Sequence, residues 1–146
     1  MGNETRIHPE TGETLRRGTR PMTVAYAIYS KVIDVPGWYP DGNGDAIHTG
    51  KDLAEWNATY QQMRMDYAKK VRALRMRLKL TQEEAGRILG GGKRAFQKYG
   101  TGKTPPSDAA IALLELMERH PEDVEILKSL PGRHLEPANT GSVARP

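Results

Sequence analysis

The longest regular pattern of apolar side chains lies in the middle of the chain. From residue 51 to residue 85 there is neither proline nor glycine, and eight apolar side chains follow one another at intervals of three or four. This spacing places them on one side of a helix. It predicts a single helix from about Lys51 to Lys79, roughly 43 Å long at 1.5 Å per residue. A break near residues 64–66 is the alternative. The eight side chains are those of Leu53, Trp56, Tyr60, Met63, Tyr67, Val71, Leu74 and Leu78.

A different pattern precedes this helix. Large apolar side chains alternate with smaller ones over residues 22–28, which is the period of a strand. A second strand is predicted over residues 31–35, ending at Pro36-Gly37, and a short third strand over residues 46–48. A small antiparallel sheet of this kind is marginally stable alone. We expect it to rest on the following helix, on a partner chain or on a second copy of itself.

Two short helices joined by a glycine turn follow the long helix. Thr81 and Glu84 have the spacing of a capping box, which opens the first of them. Residues 90–92 are all glycine and end it, because glycine reaches the positive φ angles that a sharp reversal needs. The second helix is predicted to begin at Lys93. Two helices and a tight turn are the parts of a helix-turn-helix motif that reads the major groove.

The C-terminal third contains two further apolar helical segments. Pro105 and Pro106 suit the first turn of a helix that holds five large apolar side chains between residues 111 and 117. A last short helix is expected over residues 122–130. Residues 131–146 have little apolar content and are predicted to be disordered.

The predicted fold class is therefore α+β and mainly α. It comprises a small N-terminal antiparallel β-sheet, a long connecting helix and a five-helix helix-turn-helix domain. The predicted boundaries are a flexible N-terminus at 1–13, a β module at 14–50, a connecting helix at 51–66, a DNA-binding domain at 67–130 and a disordered tail at 131–146.

Composition narrows the classes of function. The chain has no cysteine, which removes disulfides and thiolate chemistry and fits a cytoplasmic protein. No apolar run approaches the ~20 residues of a membrane span, and the N-terminus has no apolar core of a secretory signal. The four histidines are scattered, and the turn at residues 41–45 lacks the glutamate and the length of a calcium loop. We therefore predict no enzyme, no metal site and no cofactor.

Charge is distributed unevenly along the chain. Residues 67–103 carry eleven basic and two acidic side chains, a net charge of +9. Residues 1–66 have a net charge of −2 and residues 104–146 a net charge of −3. A basic centre between acidic ends indicates a polyanionic partner for the centre. A solvated cationic helix face is the alternative on charge alone.

The second short helix carries the side chains expected to read DNA. Arg94 and Lys98 are four residues apart and share one face. Arginine pairs bidentately with guanine, lysine does so less selectively, and Gln97 between them can read adenine or bind phosphate. Gln82, Lys93, Lys103 and Thr104 are predicted to bind phosphate. Trp38 and Tyr39 are the aromatic candidates for binding a protein partner.

Residues 78–128 resemble the Cro/C1-type (XRE) helix-turn-helix domain, and within it the MqsA-type antitoxins. The resemblance rests on Leu-Thr-Gln-Glu-Glu-Ala at 80–85, the glycine run before Ala95-Phe96, a proline-led helix, and Arg-His-Pro-Glu at 119–122. In that family the C-terminal domain binds DNA as a dimer. Its N-terminal domain is a small zinc-bound β module that holds a toxin, and an asparagine and an arginine read bases at the positions of Arg94 and Lys98. Here the zinc cysteines are missing.

The resemblance implies a dimeric, sequence-specific antitoxin that binds a palindromic double-stranded operator, neutralises a toxin and represses its own operon. Because Arg94 and Lys98 differ from the family's residue types, we expect a different operator. A stand-alone XRE-type repressor without a toxin and a protein-interaction adaptor are the alternatives. The homodimer contact is predicted in the last helix, through Val124, Ile126, Leu127 and Leu130.

Overall fold

The computed structural model describes residues 4–89, 91–92 and 94–131, which divide into two units at residues 64 and 65. Among the described residues there are three strands and five α-helices, so the α+β class with an N-terminal antiparallel sheet is confirmed. Of the predicted tail at 131–146, residues 132–146 lie outside the described residues. No helix in the described part is long and apolar enough to cross a membrane. The elements are β1 Thr5–Ile7, β2 Thr14–Tyr26, β3 Tyr29–Tyr39, α1 Ala54–Arg77, α2 Gln82–Leu89, α3 Ala95–Thr101, α4 Asp108–Arg119 and α5 Val124–Ser129.

The sheet of the first unit has the order β1-β2-β3, with both pairs antiparallel. The alternation over residues 22–28 belongs to a strand only as far as Tyr26, because a two-residue turn at 27–28 reverses the chain and Tyr26 pairs with Tyr29. Ala27 adopts a φ of 55° there, where glycine or asparagine is the usual residue. The sequence prediction was wrong at this point because the turn lacks the residues that normally mark a hairpin.

β3 continues through Pro36 to Tyr39, whereas the sequence predicted that the strand ends at Pro36-Gly37. Trp38 directs its backbone away from β2, since its N–H donates to Ile47 O at 2.8 Å and its carbonyl accepts from Ile47 N–H at 2.9 Å. Pro36, two residues earlier, has its nitrogen on the same outer edge, where a missing N–H breaks no bond to β2. The third strand expected at 46–48 is reduced to this one bridge at Ile47.

Residues 5–13 form more regular structure than their polar composition predicted. Residues 5–7 form β1, which pairs with the start of β2. His8 follows and is only 6% exposed. Its Nδ1 accepts the backbone N–H groups of Glu10 at 3.1 Å and Thr11 at 3.3 Å, which satisfies the turn between the two strands. An imidazole acting as the acceptor of a turn gives no periodic pattern in the sequence.

The sheet packs against the first half of α1, within the first unit. The Tyr26 ring meets the Tyr60 ring edge-on at 5.4 Å, and Trp56 stacks on Tyr60 at 5.7 Å. Trp56 also donates Nε1–H to the Thr23 carbonyl at 3.2 Å. The helix thus supplies the support that so small a sheet needs. The buried apolar side chains of the sheet are Leu15, Val24, Tyr26, Ile33, Val35 and Tyr39.

α1 is one element from Ala54 to Arg77, so the break considered near residues 64–66 is not present. Its C-terminal end lies in the second unit. There Lys79 adopts a φ of 60°, its N–H donates to Met76 O at 3.0 Å, and Leu80 N–H donates to Arg75 O at 3.1 Å. This pair of bonds is a Schellman motif.

The core of the second unit is built from one side of each helix. The last four side chains of the apolar stripe are buried here, as are the apolar faces of α2 and α3. In α4, Leu114 and Met117 are buried but Leu116 is 55% exposed, so the helix expected to be the most buried shows a second apolar face. The core residues are Tyr67, Val71, Leu74, Leu78, Leu80, Ala85, Ile88, Leu89, Phe96, Leu114, Met117 and Val124.

Candidate nucleic-acid interface

The start of α2 is fixed by the predicted capping box. Glu84 N–H donates to Thr81 Oγ1 at 3.1 Å, and Thr81 N–H donates to the Glu84 carboxylate at 2.8 Å. Two of the free N–H groups at the helix start are thereby satisfied. Gln82 is the first residue of α2, and it is exposed.

The turn between α2 and α3 requires glycine. Gly91 and Gly92 have φ values of 89° and 87°. A Cβ at Gly91 would lie 2.7 Å from the Ala95 Cβ and 3.1 Å from the Tyr99 hydroxyl. The positive φ and this close approach explain the glycine run that the sequence shows. Gly90 and Lys93, the latter a predicted phosphate contact, lie outside the described residues.

α3 begins at Ala95, two residues later than the sequence predicted. Arg94 occupies the N-cap position with φ −101° and ψ −3°, and its side chain makes no capping hydrogen bond. No serine, threonine or aspartate precedes the helix to cap it. The Arg94 carbonyl accepts Lys98 N–H at 3.3 Å, so the two residues are one turn apart.

Three predicted contacts meet at one shallow depression of about 240 Å³ on the second unit. Arg94 and Lys98 line it from α3, and Thr104 lines it from the following loop. Gln97 and Lys103 are exposed but do not line the depression. The remaining lining residues are Gly91, Ala95 and Tyr99.

The second unit fixes α3 through contacts at its apolar face and at its C-terminal end. Phe96 is buried, and its ring lies 5.6 Å from the half-buried Tyr99 ring. Gly102, at φ 73°, ends the helix, and Lys103 N–H donates to Lys98 O at 2.9 Å. The Arg72 guanidinium of α1 donates to the Gly100 carbonyl. A helix held at both its apolar face and its C-terminal end presents its outer side chains from a fixed backbone.

Part of the positive charge counted in the sequence is paired with carboxylates of described residues in the same unit. Arg77 contacts the Glu118 carboxylate at 3.1 Å, Lys70 lies 3.8 Å from the same carboxylate, and Arg87 pairs with Glu83 at 3.1 Å. Partners some forty residues away are invisible in the sequence, so the net charge of +9 overstates what is available to a ligand. Among the described residues, no carboxylate lies within salt-bridge distance of Arg94, Lys98 or Lys103.

The four dimer residues predicted in the last helix differ in their exposure to solvent. Val124, where the sequence predicted an intermolecular contact, is only 6% exposed and belongs to the core of its own unit. Ile126 is 59% exposed, Leu130 is exposed and Leu127 is half-buried. The exposed Leu116 of α4 was missed. Five apolar residues within seven positions are too many for one helix face, and this excess was the available sign.

Of the two aromatic candidates in the first unit, only Trp38 is accessible. The guanidinium groups of Arg6 and Arg17 lie 5.5 Å from its ring centroid. Tyr39 is 8% exposed, and its hydroxyl donates to the Val35 carbonyl at 2.6 Å. Burial raises the pKa of the Tyr39 hydroxyl above its ordinary value. Tyr39 is therefore a core residue.

A second capping box beside Trp38 was missed. Asp52 N–H donates to Thr49 Oγ1 at 3.1 Å, and Thr49 N–H donates to the Asp52 carboxylate at 3.0 Å. The same carboxylate accepts hydrogen bonds from both terminal nitrogens of Arg17, one of them at 2.9 Å. The hydrogen bond from Arg17 holds the pKa of the buried Asp52 well below its ordinary value of 3.8. The Thr-x-x-Asp spacing was the available sign.

The residues of the sheet do not fit the zinc site that the resemblance implies. The chain has no cysteine, and the Nδ1 of His8 already accepts two backbone N–H groups. Within the described residues, the cluster with metal-ligand spacing is that of His120, Glu122 and Asp123, all exposed and in the second unit. Exposed acidic groups of this kind are common without a metal.

Comparison with known proteins extends the resemblance over both units. A family model described as the antitoxin component of bacterial toxin-antitoxin systems, MqsA, matches residues 9–128. The antitoxin MqsA of Escherichia coli (strain K12) is 45% identical over 49 residues, which are 34% of this chain and 37% of that relative. The chain therefore spans little more than a third of the length of the curated relative that it matches.

Proposed function

Since the chain belongs to the MqsA family of antitoxin components, we propose that it binds its own operator DNA as a dimer, through an XRE-type helix-turn-helix. We further propose that it neutralises a toxin of a type II system and represses the operon that encodes both. The observation that carries the DNA-binding proposal is the depression at α3. There Arg94 and Lys98 at the firmly held α3, which have no carboxylate partners in the described part of the chain, lie beside Thr104 of the following loop.

The proposed roles follow from these positions. Arg94 and Lys98 read base edges in the major groove, and Gln97 on the same helix reads a base or binds phosphate. The N–H groups at the start of α2 and the side chain of Gln82 hold a backbone phosphate, aided by the helix dipole. Lys93, Lys103 and Thr104 bind neighbouring phosphates. Phosphate contacts fix the register of the protein, and base contacts specify the sequence.

The exposed apolar side chains of α4 and α5 support a dimer. Leu116 of α4, together with Ile126 and Leu130 at α5, is exposed although large and apolar, and association surfaces are where such side chains become covered. We propose that α5 contributes to a contact with a second copy. Such a dimer would place two α3 helices in successive major grooves, about 34 Å apart, on a palindromic operator.

The experiment for DNA binding is a titration of the chain's own promoter with three variants of the full chain. Arg94→Ala and Lys98→Ala should each weaken specific binding by ~1–3 kcal/mol and relax the sequence preference. Lys69→Ala is the matched control, because Lys69 is an exposed cation of the same unit on α1. Equal affinity of all four proteins, or an affinity that does not weaken with salt, would refute the proposed interface.

The experiment for the antitoxin role is rescue of growth against a toxin encoded beside the chain. Trp38→Ala should reduce rescue and co-purification of the toxin, because a half-exposed indole with two guanidinium groups 5.5 Å from its ring centroid has the character of an interface anchor. Thr23→Ala, exposed on the same sheet, is the control. Operator binding without any co-purifying toxin would favour a stand-alone repressor. Absence of both operator binding and toxin binding would favour a protein-interaction adaptor.

A further inference from the structure

The two long edges of the sheet in the first unit differ in whether their outward backbone groups are protected from pairing. On the outer edge of β2, the Thr23 carbonyl points away from β3 and accepts Trp56 Nε1–H at 3.2 Å. Pro21, two residues earlier on the same edge, has no N–H. Proline and a covering side chain are the means by which natural sheets prevent pairing with another strand. This edge is therefore protected.

The outer edge of β3 is open. The Trp38 backbone points outward to Ile47, so the residues of β3 with the same parity also point outward. Ser30, Val32 and Asp34 thus direct their N–H and C=O groups away from β2, and these groups have no partner among residues 4–89, 91–92 and 94–131. Val32 is 62% exposed. The turn at 27–28 and Pro36 limit this open segment at its two ends.

We propose that the segment Ser30–Asp34 pairs antiparallel with the same segment of a second copy of this chain, about a two-fold axis at Val32. The two sheets then form one continuous six-stranded sheet. Each Val32 exchanges hydrogen bonds with the Val32 of the second copy, and each Ser30 does so with the Asp34 of the second copy. This contact is distinct from the α5 contact of the proposed DNA-binding dimer and does not depend on it.

The second copy is the occupant that fits this edge best, because the open segment is complementary to itself. It has three outward-facing residues and Val32 is the middle one, so every outward N–H meets an outward carbonyl of the second copy. The two exposed valine side chains come together with Cβ atoms about 5 Å apart. The two Asp34 carboxylates stay about 14 Å apart, four residues along the strands at about 3.4 Å each. Asp34 faces a serine hydroxyl instead of another carboxylate.

Disulfide crosslinking of the full chain tests this pairing, because the chain has no cysteine of its own. Val32→Cys introduces a single thiol, and Cα atoms of a hydrogen-bonded antiparallel pair lie about 5.5 Å apart, within reach of a disulfide. Mild oxidation should convert most of this variant to a covalent dimer. Thr23→Cys is the control, because Thr23 is exposed and pairs with Val32 across the hairpin but lies on the protected edge. It should remain mostly monomeric.

A second crosslinking experiment tests the register and keeps Val32 intact. Ser30→Cys and Asp34→Cys proteins carrying tags of different size are mixed and oxidised. The proposed register predicts the mixed dimer and little of either homodimer, since two thiols at position 30 would be about 14 Å apart. The proposal is overturned if Val32→Cys and Thr23→Cys crosslink equally, or if the homodimers form as readily as the mixed dimer. It is also overturned if the thiol at position 32 becomes inaccessible only when a different protein is added.

Discussion

The arginines of β2 and the cations of α3 make opposite use of the same kind of charge. Arg17 is bound by the Asp52 carboxylate, and Arg20 donates to the Gly42 carbonyl at 3.1 Å and lies 4.7 Å from the centre of the Tyr39 ring. Arg94 and Lys98 have no such partners in the described part of the chain. A cation bound within its own unit stabilises the fold, whereas an unpaired one remains available to a ligand. The count of basic residues alone does not separate the two.

The largest effect that the comparison predicts is on Asp52. Asp52→Ala removes the carboxylate from Arg17 and breaks the capping box at Thr49, so the free energy of unfolding should fall by about 2–3 kcal/mol. Fluorescence-detected urea unfolding follows this unit alone, because the two tryptophans of the chain, Trp38 and Trp56, both lie in it.

The second capping box supplies the control for that variant. Glu84→Ala removes the matching carboxylate in the second unit, which no arginine of the described residues binds. The free energy of unfolding, followed by circular dichroism, should fall by about 1 kcal/mol. If the two variants are equally destabilised, Arg17 adds nothing to the capping box and the comparison fails.

The next effect is a dependence of stability on pH. Because Arg17 lowers the pKa of Asp52 in the folded state, the ion pair contributes fully above the ordinary carboxyl value of 3.8. Its contribution is lost as the pH falls from there towards the lowered pKa. The urea concentration at the midpoint of the tryptophan signal should therefore decrease as the pH is lowered below about 4. Asp52→Asn should have a lower midpoint at neutral pH and a weaker decline in acid; an unchanged decline would assign it to other groups.

A smaller effect is expected at His8, which also satisfies groups within the first unit. His8→Ala leaves the N–H groups of Glu10 and Thr11 without an acceptor and should cost about 1–2 kcal/mol by the same tryptophan signal. His8→Asn should recover part of this loss, because asparagine accepts backbone N–H groups in turns. Equal losses in both variants would show that the packing of the ring, and not its nitrogen, is what matters.

The smallest effect is expected at the α3 cations. Arg94→Ala and Lys98→Ala should change the free energy of unfolding of the second unit by less than about 0.5 kcal/mol, as for other exposed residues without partners. Thermal unfolding followed by circular dichroism measures this directly. A loss above about 1 kcal/mol would mean that these side chains stabilise the unit, and the distinction between bound and available cations would no longer hold.

Local signals accounted for the parts of the structure that the sequence predicted. The capping box at Thr81, the glycine turn and the apolar stripe of α1 each depend on residues within one or two turns of each other, so their spacing is visible in the chain. The same reasoning placed Arg94 and Lys98 on one helix face, although the predicted start of α3 was two residues too early.

Long-range contacts account for what the sequence did not predict. The burial of Val124, the pairing of Arg77 with Glu118 and the burial of Tyr39 depend on parts of the chain that are distant in sequence. The position of the hairpin turn, at 27–28, and the turn at His8 were missed for a different reason. Both use residue types that seldom mark turns, so composition predicted a continuing strand in one case and a flexible segment in the other.

The end of α1 has a consequence for the order of folding. Lysine does not favour the positive φ that Lys79 adopts, and neither glycine nor proline stands near it to stop the helix. Termination comes instead from the burial of Leu80 and from the bond of Arg75 Nη1 to the Leu80 carbonyl at 2.7 Å. The helix boundary therefore depends on the core around Leu80 as well as on local hydrogen bonds. A nascent chain that has not yet made α2 to α5 lacks the burial of Leu80 that helps to stop the helix at Arg77.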